Sequence, residues 1–470
     1  MSYPLFKKDG VFYKKVFGIA WPIAAQSLIT IGVNMLDTIM VGSLGDDALS
    51  ATSLANSFIT IYHIFCMGLG MGASVLVSRY WGMKSSATTE KEAYNAEHAL
   101  RQTVALMLRI TLSLAAVFAI ATVLMPETIM RMYNNEPEIL RLGARYFRFS
   151  IVTYFFLGSS LVCTIVLRSV GSVKLPLFVS MGAFFVNLGA NYVLIFGKLG
   201  LPRMEVAGAA LATMIARLFE AVVICGYLLL MDQKIAFRFK HFFMDTKSLI
   251  SEYFRISIPV LISDGILALG SNAVTMVIGH LGGTYVSANA ITSVTQQLTN
   301  VVISGVSQAG AIVTGQTLGE GNRERTMEQG YMFMGLGFLL SLISGLFIIA
   351  ISEPVILSYK NISSETADIA REFMIAIAMI VLFQGTNSIM TKGVLRGGGD
   401  TKMLMLADNL FLWILAIPFG LLAGFVFKLS PFWIYVCLKS DQIVKTIWAW
   451  TRLTSGKWIK KISTGKVKEA

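Results

Sequence analysis

Asp37 stands inside a long apolar block, three residues after Asn34, so the two share one face if the block is a helix. In another block Asn187 and Asn191 form an i,i+4 pair, and Thr213 lies in the block after that. A carboxylate gathered with amide and hydroxyl oxygens suits two tasks: taking up a proton, or holding a sodium ion loosely. The same groups can instead form an interhelical hydrogen-bond network that only locks helices together. Asp264, five residues after Pro259, is a second isolated acid. Proline frees a backbone carbonyl nearby, which can join a cation site or simply mark a kink.

Secondary candidates surround these. Arg217 and Glu220 are spaced i,i+3 and can neutralise each other on one face. His63 is alone in its block, either a hydrogen-bonded packing residue or a proton carrier. Gln384 and Asn387 are polar residues of a block with no acid in its middle. Asp408 and Lys392 lie toward block ends, where snorkelling or an interhelical pair satisfies them. No Ser/His/Asp set, metal-spaced His/Cys cluster or H-E-x-x-H occurs on any block, so the reading is not an enzyme. No cofactor is expected beyond a coupling H+ or Na+, and no metal beyond a transient Na+ at Asp37. Gly68-Leu-Gly70-Met-Gly72 follows no strand, and Arg396-Gly-Gly-Gly-Asp400 lacks the Gly-Lys-Ser/Thr ending of a nucleotide loop. With no nucleotide motif, any pumping must draw on an ion gradient.

The elements that must position these residues follow from composition. Of 470 residues 55% are hydrophobic and only 14% charged, against roughly a quarter charged in a soluble domain. The mean hydropathy is +0.67, and the apolar residues fall in blocks long enough to cross a hydrocarbon layer of roughly 30 Å. No alternation in ten-residue segments runs through the chain, which excludes a transmembrane barrel. The expectation is an all-α integral membrane protein of twelve transmembrane helices, near 15–42, 50–78, 102–125, 142–167, 174–197, 206–231, 250–279, 287–315, 329–352, 366–395, 403–427 and 430–450. The last is interrupted by Lys439, Asp441 and Lys445, of which Asp441 and Lys445 can pair at i,i+4. The four cysteines all lie inside apolar blocks and read as packing residues.

The net charge of +12 would raise the question of nucleic acid in a soluble chain, but its placement decides otherwise. With a cytoplasmic N-terminus, inside segments hold 26 Lys and Arg, and outside loops only five: Arg131, Lys198, Arg203, Lys360 and Lys428. The positive-inside rule then places both termini in the cytoplasm. The first block is too long for a signal-peptide core and stays as a span.

Sliding the chain on itself aligns Phe17–Gly82 with Phe254–Gly319 without a gap, at an offset of 237, with 12 of 66 positions identical. Val166-Leu167-Arg168 with Gly171 and Lys174 matches Val394-Leu395-Arg396 with Gly399 and Lys402 at an offset of 228. Six spans per copy give both halves the same orientation, a parallel repeat used by transporters that rock one half against the other. The expected domains are an N-terminal bundle at 1–232, a cytoplasmic connector at 233–249, a C-terminal bundle at 250–450 and a basic tail at 451–470.

The sequence resembles the multidrug and toxic compound extrusion (MATE) transporters over about residues 15 to 450. The resemblance is carried by Pro22 followed by Asp37-Thr-Ile-Met-Val-Gly-Ser-Leu-Gly45, by the repeated Gly-rich spans, by Asn187-Leu-Gly-Ala-Asn191 running to Ile195-Phe-Gly197, and by Val394-Leu-Arg-Gly-Gly-Gly-Asp-Thr401. It implies a V-shaped pair of six-helix bundles exporting cationic or amphipathic compounds in exchange for H+ or Na+. It implies a coupling role for Asp37, joined by Asn187, Asn191 and Thr213. Members with a second acid in the fifth helix would have it at Asn191, so this site carries less negative charge. Some sodium-coupled members also carry acids in the seventh and tenth helices; here Asp264 lies in the seventh, and the tenth has Gln384 and Asn387 in place of an acid.

The reading is a multidrug efflux antiporter of the inner or plasma membrane, monomeric, with the lipid bilayer and small amphipathic or cationic molecules as its partners and no nucleic acid or nucleotide. An exporter of lipid-linked sugars or a specific metabolite would call for a strongly basic centre, which the scarcity of mid-span Arg and Lys opposes. A non-transporting receptor would call for a sizeable extramembrane domain, and the longest interior loop is about 20 residues.

Overall fold

The computed structural model describes residues 3–359 and 362–460; the end of the basic tail (461–470) and Lys360 lie outside the described residues. Those described are helical or irregular, with no strand among them. In the order of the chain the helices are α1 (Gly10–Gly42), α2 (Asp46–Ser86), α3 (Glu90–Leu124), the short α4 (Pro126–Arg131), α5 (Pro137–Ser150), α6 (Thr153–Ser169), α7 (Lys174–Phe196) and α8 (Val206–Gly226). After a connector come α9 (Lys247–Leu281), α10 (Gly283–Gly319), α11 (Arg323–Ser358), α12 (Ser364–Ser388), α13 (Thr401–Leu410), the short α14 (Ile417–Leu421), α15 (Pro431–Leu438) and α16 (Ser440–Thr454).

Among the described residues ten helical runs are long and apolar enough to cross a membrane, and α5 with α6 make an eleventh candidate bent by 55°. The sequence predicts one straight span at 142–167; the bend at Ile151–Val152 has a reason in the first limb. Arg141, Arg145 and Arg148 make α5 strongly amphipathic, with Tyr146 and Phe147 buried on its other side, so the limb does not continue α6 as one uniformly apolar rod. The twelfth expected span, near 430–450, is not among these: at its place α15 and α16 are short and separated by a break at Lys439. Large apolar side chains such as Trp21, Phe185 and Leu346 stand exposed along the long helices, as lipid contact requires. The chain is a multi-pass all-α membrane protein.

Contacts divide the described residues into two compact units: 25–81 with 89–254, and 3–24 with 82–88 and the described part from 255 onward. The boundaries fall inside α1 and α9, near the repeat mates Pro22 and Pro259, each of which sits within its helix. The repeat also reproduces its turns. Gly45 and Gly282, at the ends of the α1/α2 and α9/α10 hairpins, have φ of +117° and +133°, and Gly171 and Gly399 have φ of +78° and +87°. Only glycine enters those regions without steric cost, which explains why these positions are glycine in both copies.

Within the first unit α3 holds the connector. Arg109 donates to the carbonyls of Phe242 and Met244, at 2.6 and 2.7 Å, and Gln102 donates to the carbonyl of Asp245 at 2.6 Å. α3 itself starts at a capping box in which the Glu92 N–H donates to Thr89 Oγ1 and the Thr89 N–H to the Glu92 carboxylate. A cluster of Tyr62, Cys66, Ala115, Ala119, Tyr154 and Leu157 packs α2, α3 and α6 together, and Tyr62 closes it by donating to the Tyr154 carbonyl at 2.8 Å.

Candidate functional site

A cavity of about 550 Å³ opens inside the first unit, between α1, α2, α5, α6, α7 and α8. One face of α1 lines it. Thr30, Asn34 and Asp37 follow each other at helical spacing, and Gln26 continues the stripe below them. Sequence reasoning finds Asn34 and Asp37 on this stripe and misses Gln26; its spacing from Thr30, Asn34 and Asp37 was the available signal.

Asp37 accepts a hydrogen bond from the side-chain amide of Asn191, which also donates to Asn187 Oδ1 at 3.1 Å. Asn187 and Asn191 are buried on the face of α7 from which Asn191 reaches Asp37 of α1, and α7 packs along α8. The i,i+4 pair read from the sequence is thus a relay aimed at the carboxylate. Thr213 on α8 lines the same cavity, beside the phenol of Tyr146. Tyr146 donates to Asn56 Oδ1 at 3.1 Å and is a polar wall that sequence reasoning did not single out, since it sits on the amphipathic limb α5.

The floor is a chain of polar side chains. Arg217 pairs with Glu220 at 2.8 Å, Ser180 Oγ donates to Glu220 at 3.5 Å, Gln26 donates to Ser180 at 2.6 Å, and Arg168 donates to Gln26 Oε1. Arg217, Glu220 and His63 all line the cavity. The Arg217–Glu220 pair is internally neutral, as its spacing predicts, which leaves Asp37 as the carboxylate of the cavity without a cationic partner at salt-bridge distance. Asn34, Asn187, Thr213 and Tyr146 are among the oxygen-bearing residues that line the walls with Asp37, and they provide candidate oxygen ligands for a small cation or partners for a proton-bearing group.

The remaining candidates lie in the other unit. Asp264 accepts from Arg396 at 3.1 Å, which ties α9 to the Arg396-Gly-Gly-Gly-Asp400 turn. Asp400 at the far end of that turn is gripped by Arg452 at 2.6 and 3.1 Å. Gln384 donates to Asn300 at 3.2 Å and accepts from Gln296 at 3.4 Å, and Asn387 donates to Gln442 at 3.0 Å. Asp408 and Lys392 diverge: Lys392 is exposed, whereas Asp408 is buried against Lys445.

The MatE family model matches residues 22–193 and 259–446, one stretch in each repeat. A multidrug resistance protein NorM of Burkholderia vietnamiensis is 26% identical over 414 residues, covering 86% of this chain and 85% of the relative. A probable multidrug resistance protein NorM of Thermotoga maritima is 24% identical over the full length of both chains, and the uncharacterized transporter YisQ of Bacillus subtilis is 23% identical over 95% of each. Among solved structures, a MATE protein in complex with MaL6 superposes with a TM-score of 0.84 at 18% identity, covering 95% of this chain and 98% of the other. An outward-facing multidrug resistance MATE transporter gives 0.83 at the same identity, and at that distance the likeness concerns the fold.

Proposed function

The chain belongs to the MatE family of membrane transporters, and from that premise we propose that it is a multidrug efflux antiporter, exporting cationic or amphipathic organic molecules in exchange for H+ or Na+. The observation that carries this reading is the cavity itself: about 550 Å³, walled by Ile29, Val33, Ile59 and Phe184, and holding one carboxylate, Asp37, that no cation neutralises at salt-bridge distance. Apolar walls accept varied hydrophobic bodies, while a half-buried carboxylate with no cationic partner favours positive charge. A coupling ion and a cationic substrate therefore compete for the same negative charge, and each binding event relieves the same electrostatic penalty. Alternating access follows if the ion and the substrate prefer different conformations, because a ligand shifts an equilibrium only by its differential affinity.

In this reading the protein works as a monomer in the inner or plasma membrane with both termini cytoplasmic, and needs no nucleotide or cofactor. The cavity carries no excess of basic residues, which supports a cation over a phosphate-bearing lipid as cargo. The test is reconstitution into liposomes with an imposed Na+ or pH gradient, following a lipophilic cationic dye. Flux that follows one gradient supports the reading and names the ion; flux that ignores both overturns it.

A further inference from the structure

The helix that holds the connector also fixes its depth. The 15 residues of α3 from Ile110 to Leu124 carry no charge and rise about 22 Å at 1.5 Å per residue. A hydrocarbon layer of roughly 30 Å reaches about five residues further back along α3, past Arg109. A guanidinium at that depth needs oxygen partners, and the connector supplies them. Arg109 donates to the carbonyls of Phe242 and Met244 and, at 3.3 Å, to the hydroxyl of Thr246, with the Phe242 ring centred 5.6 Å from the guanidinium. Nearer the start of α3, Arg101 donates to the Ile235 carbonyl at 3.0 Å. Residues 242–246 are thereby drawn up to the boundary between headgroups and acyl chains.

What the connector exposes there is aromatic and basic. Phe239 and Phe243, at the two ends of a single 3-10 turn, are 70% and 69% exposed and stand edge to face at 5.7 Å. Leu230 and Met231, exposed at the end of the preceding span, continue this apolar surface along the chain. Lys240 between the two phenylalanines and Lys247 after them are exposed, and neither pairs with an acid among the described residues. The segment's own acids are partly engaged: Asp232 accepts from the backbone N–H groups of Ile235 and Ala236, and Asp245 from that of Lys247. Glu97 on α3 is paired with Arg101. Four Lys and Arg against two Asp leave 232–247 with a net charge of +2. Two exposed rings beside unpaired ammonium groups form the pattern of an interfacial segment, with the rings among acyl chains and the lysine stems snorkelling to phosphates.

We propose that the connector is a docking surface for anionic phospholipid, in which Phe239 and Phe243 enter the acyl boundary and Lys240 and Lys247 hold headgroups of net negative charge. The depth set by Arg109 favours lipid over a soluble acidic partner, which would have to displace headgroups to reach the two rings. The positive charge favours an anionic headgroup over a zwitterionic one.

The test places single full-length chains in nanodiscs of phosphatidylcholine alone, or of equal parts phosphatidylcholine and phosphatidylglycerol, and follows hydrogen exchange of 232–246. The two leaflets of a disc are alike, so the result depends neither on which face is cytoplasmic nor on what the protein transports. Exchange is expected to be about 30-fold slower in the anionic discs, equivalent to about 1 kcal/mol for each lysine, and the difference should shrink at high salt. Lys240→Gln combined with Lys247→Gln should abolish the difference between discs, and Phe239→Ser combined with Phe243→Ser should speed exchange in both. Equal exchange of the parent chain in the two discs overturns the proposal, as does a difference that the double lysine variant retains. So does slowing that free glycerol phosphate reproduces in neutral discs, which would make this a site for soluble phosphate, or slowing seen only when a disc holds two chains, which would make it a contact between copies.

Discussion

Asn191 on α7 donates to Asp37 on α1 while its own amide oxygen is buried with no donor. Both N–H groups of the amide are directed at acceptors, Asp37 and Asn187, so the relay ends in an unpaired oxygen. Replacing Asp37 by Asn keeps a hydrogen-bond partner for Asn191 but removes the charge. Gradient-driven dye export in liposomes should fall to the background of empty vesicles, with the protein still inserted. Asn191→Ala removes a hydrogen bond to a charged group, worth about 1.5–3 kcal/mol, and should slow coupled export by about tenfold or more. Unchanged export in Asp37→Asn would remove this carboxylate from the mechanism.

Close backbone packing gives a second prediction. A Cβ on Gly82 would lie 2.1 Å from the Gln316 carbonyl oxygen, whereas a Cβ on Gly265 meets nothing within 4 Å. Gly82→Ala should therefore lower stability by roughly 1–3 kcal/mol, as overpacking does. Gly265→Ala should be neutral. Thermal unfolding of the two variants in the same detergent checks the contrast, and an equal effect at both sites would refute it.

The connector should respond to acid. His241 Nδ1 accepts from the backbone N–H of Arg238 at 2.9 Å, which only the neutral ring can do. Burial, and then the charges of Arg101, Lys240 and Arg238, hold its pKa below the ordinary 6.5. Because the folded value is the lower one, the unfolded connector binds more protons in the window between the two. Protection is complete above pH 6.5 and is lost as pH falls through that window. Hydrogen exchange at 232–246 as a function of pH measures this, and Arg109→Ala should raise exchange there at every pH by releasing the Phe242 and Met244 carbonyls.

At the N-terminus the sign is the same but the window is lower. The Phe12 N–H, and after it the Arg325 guanidinium, hold the Asp9 carboxyl below its ordinary 3.8. Its contribution is present above that value and disappears only as pH falls beneath it, so Asp9→Asn should loosen residues 3–9 to protease at neutral pH. No such change at neutral pH would show the contact to be inert.

One packing contact is open to chemistry. Cys163 on α6 and Cys225 on α8 face each other with sulfur atoms 3.3 Å apart. Mild oxidation should remove two of the four thiols counted with a maleimide after denaturation, and Cys225→Ser treated in the same way should keep all three of its thiols. Four free thiols after oxidation would contradict the contact.

Much of this was legible in the residues. Asn34, Asp37, Asn187, Asn191 and Thr213 sit on helical faces that spacing alone brings to one side, and they meet around one cavity or its inner wall. The repeated glycines at 45 and 282 announced matching turns. Contacts that depend on side-chain reach between distant helices were not legible. Asp264 finds Arg396, Asp408 finds Lys445 and Gln26 finds Arg168 across separations that periodicity does not encode. The bend between α5 and α6 was hidden too, because the apolar content of the pair passes for one span while the arginines make its first limb amphipathic.

The broken segment at the twelfth expected position also bears on biogenesis. α15 and α16 bring Lys439, Asp441 and Lys445 to the insertion machinery together, and each charge at mid-bilayer costs about 2.5–3.5 kcal/mol on insertion scales. Such a segment partitions poorly by itself. Its remedy lies on the preceding span, where Asp408 waits for Lys445. The final two spans are thus expected to enter lipid as a paired hairpin, late in synthesis, and a chain lacking Asp408 would leave its last segment in the aqueous phase, exposed to the proteases that clear incompletely inserted proteins.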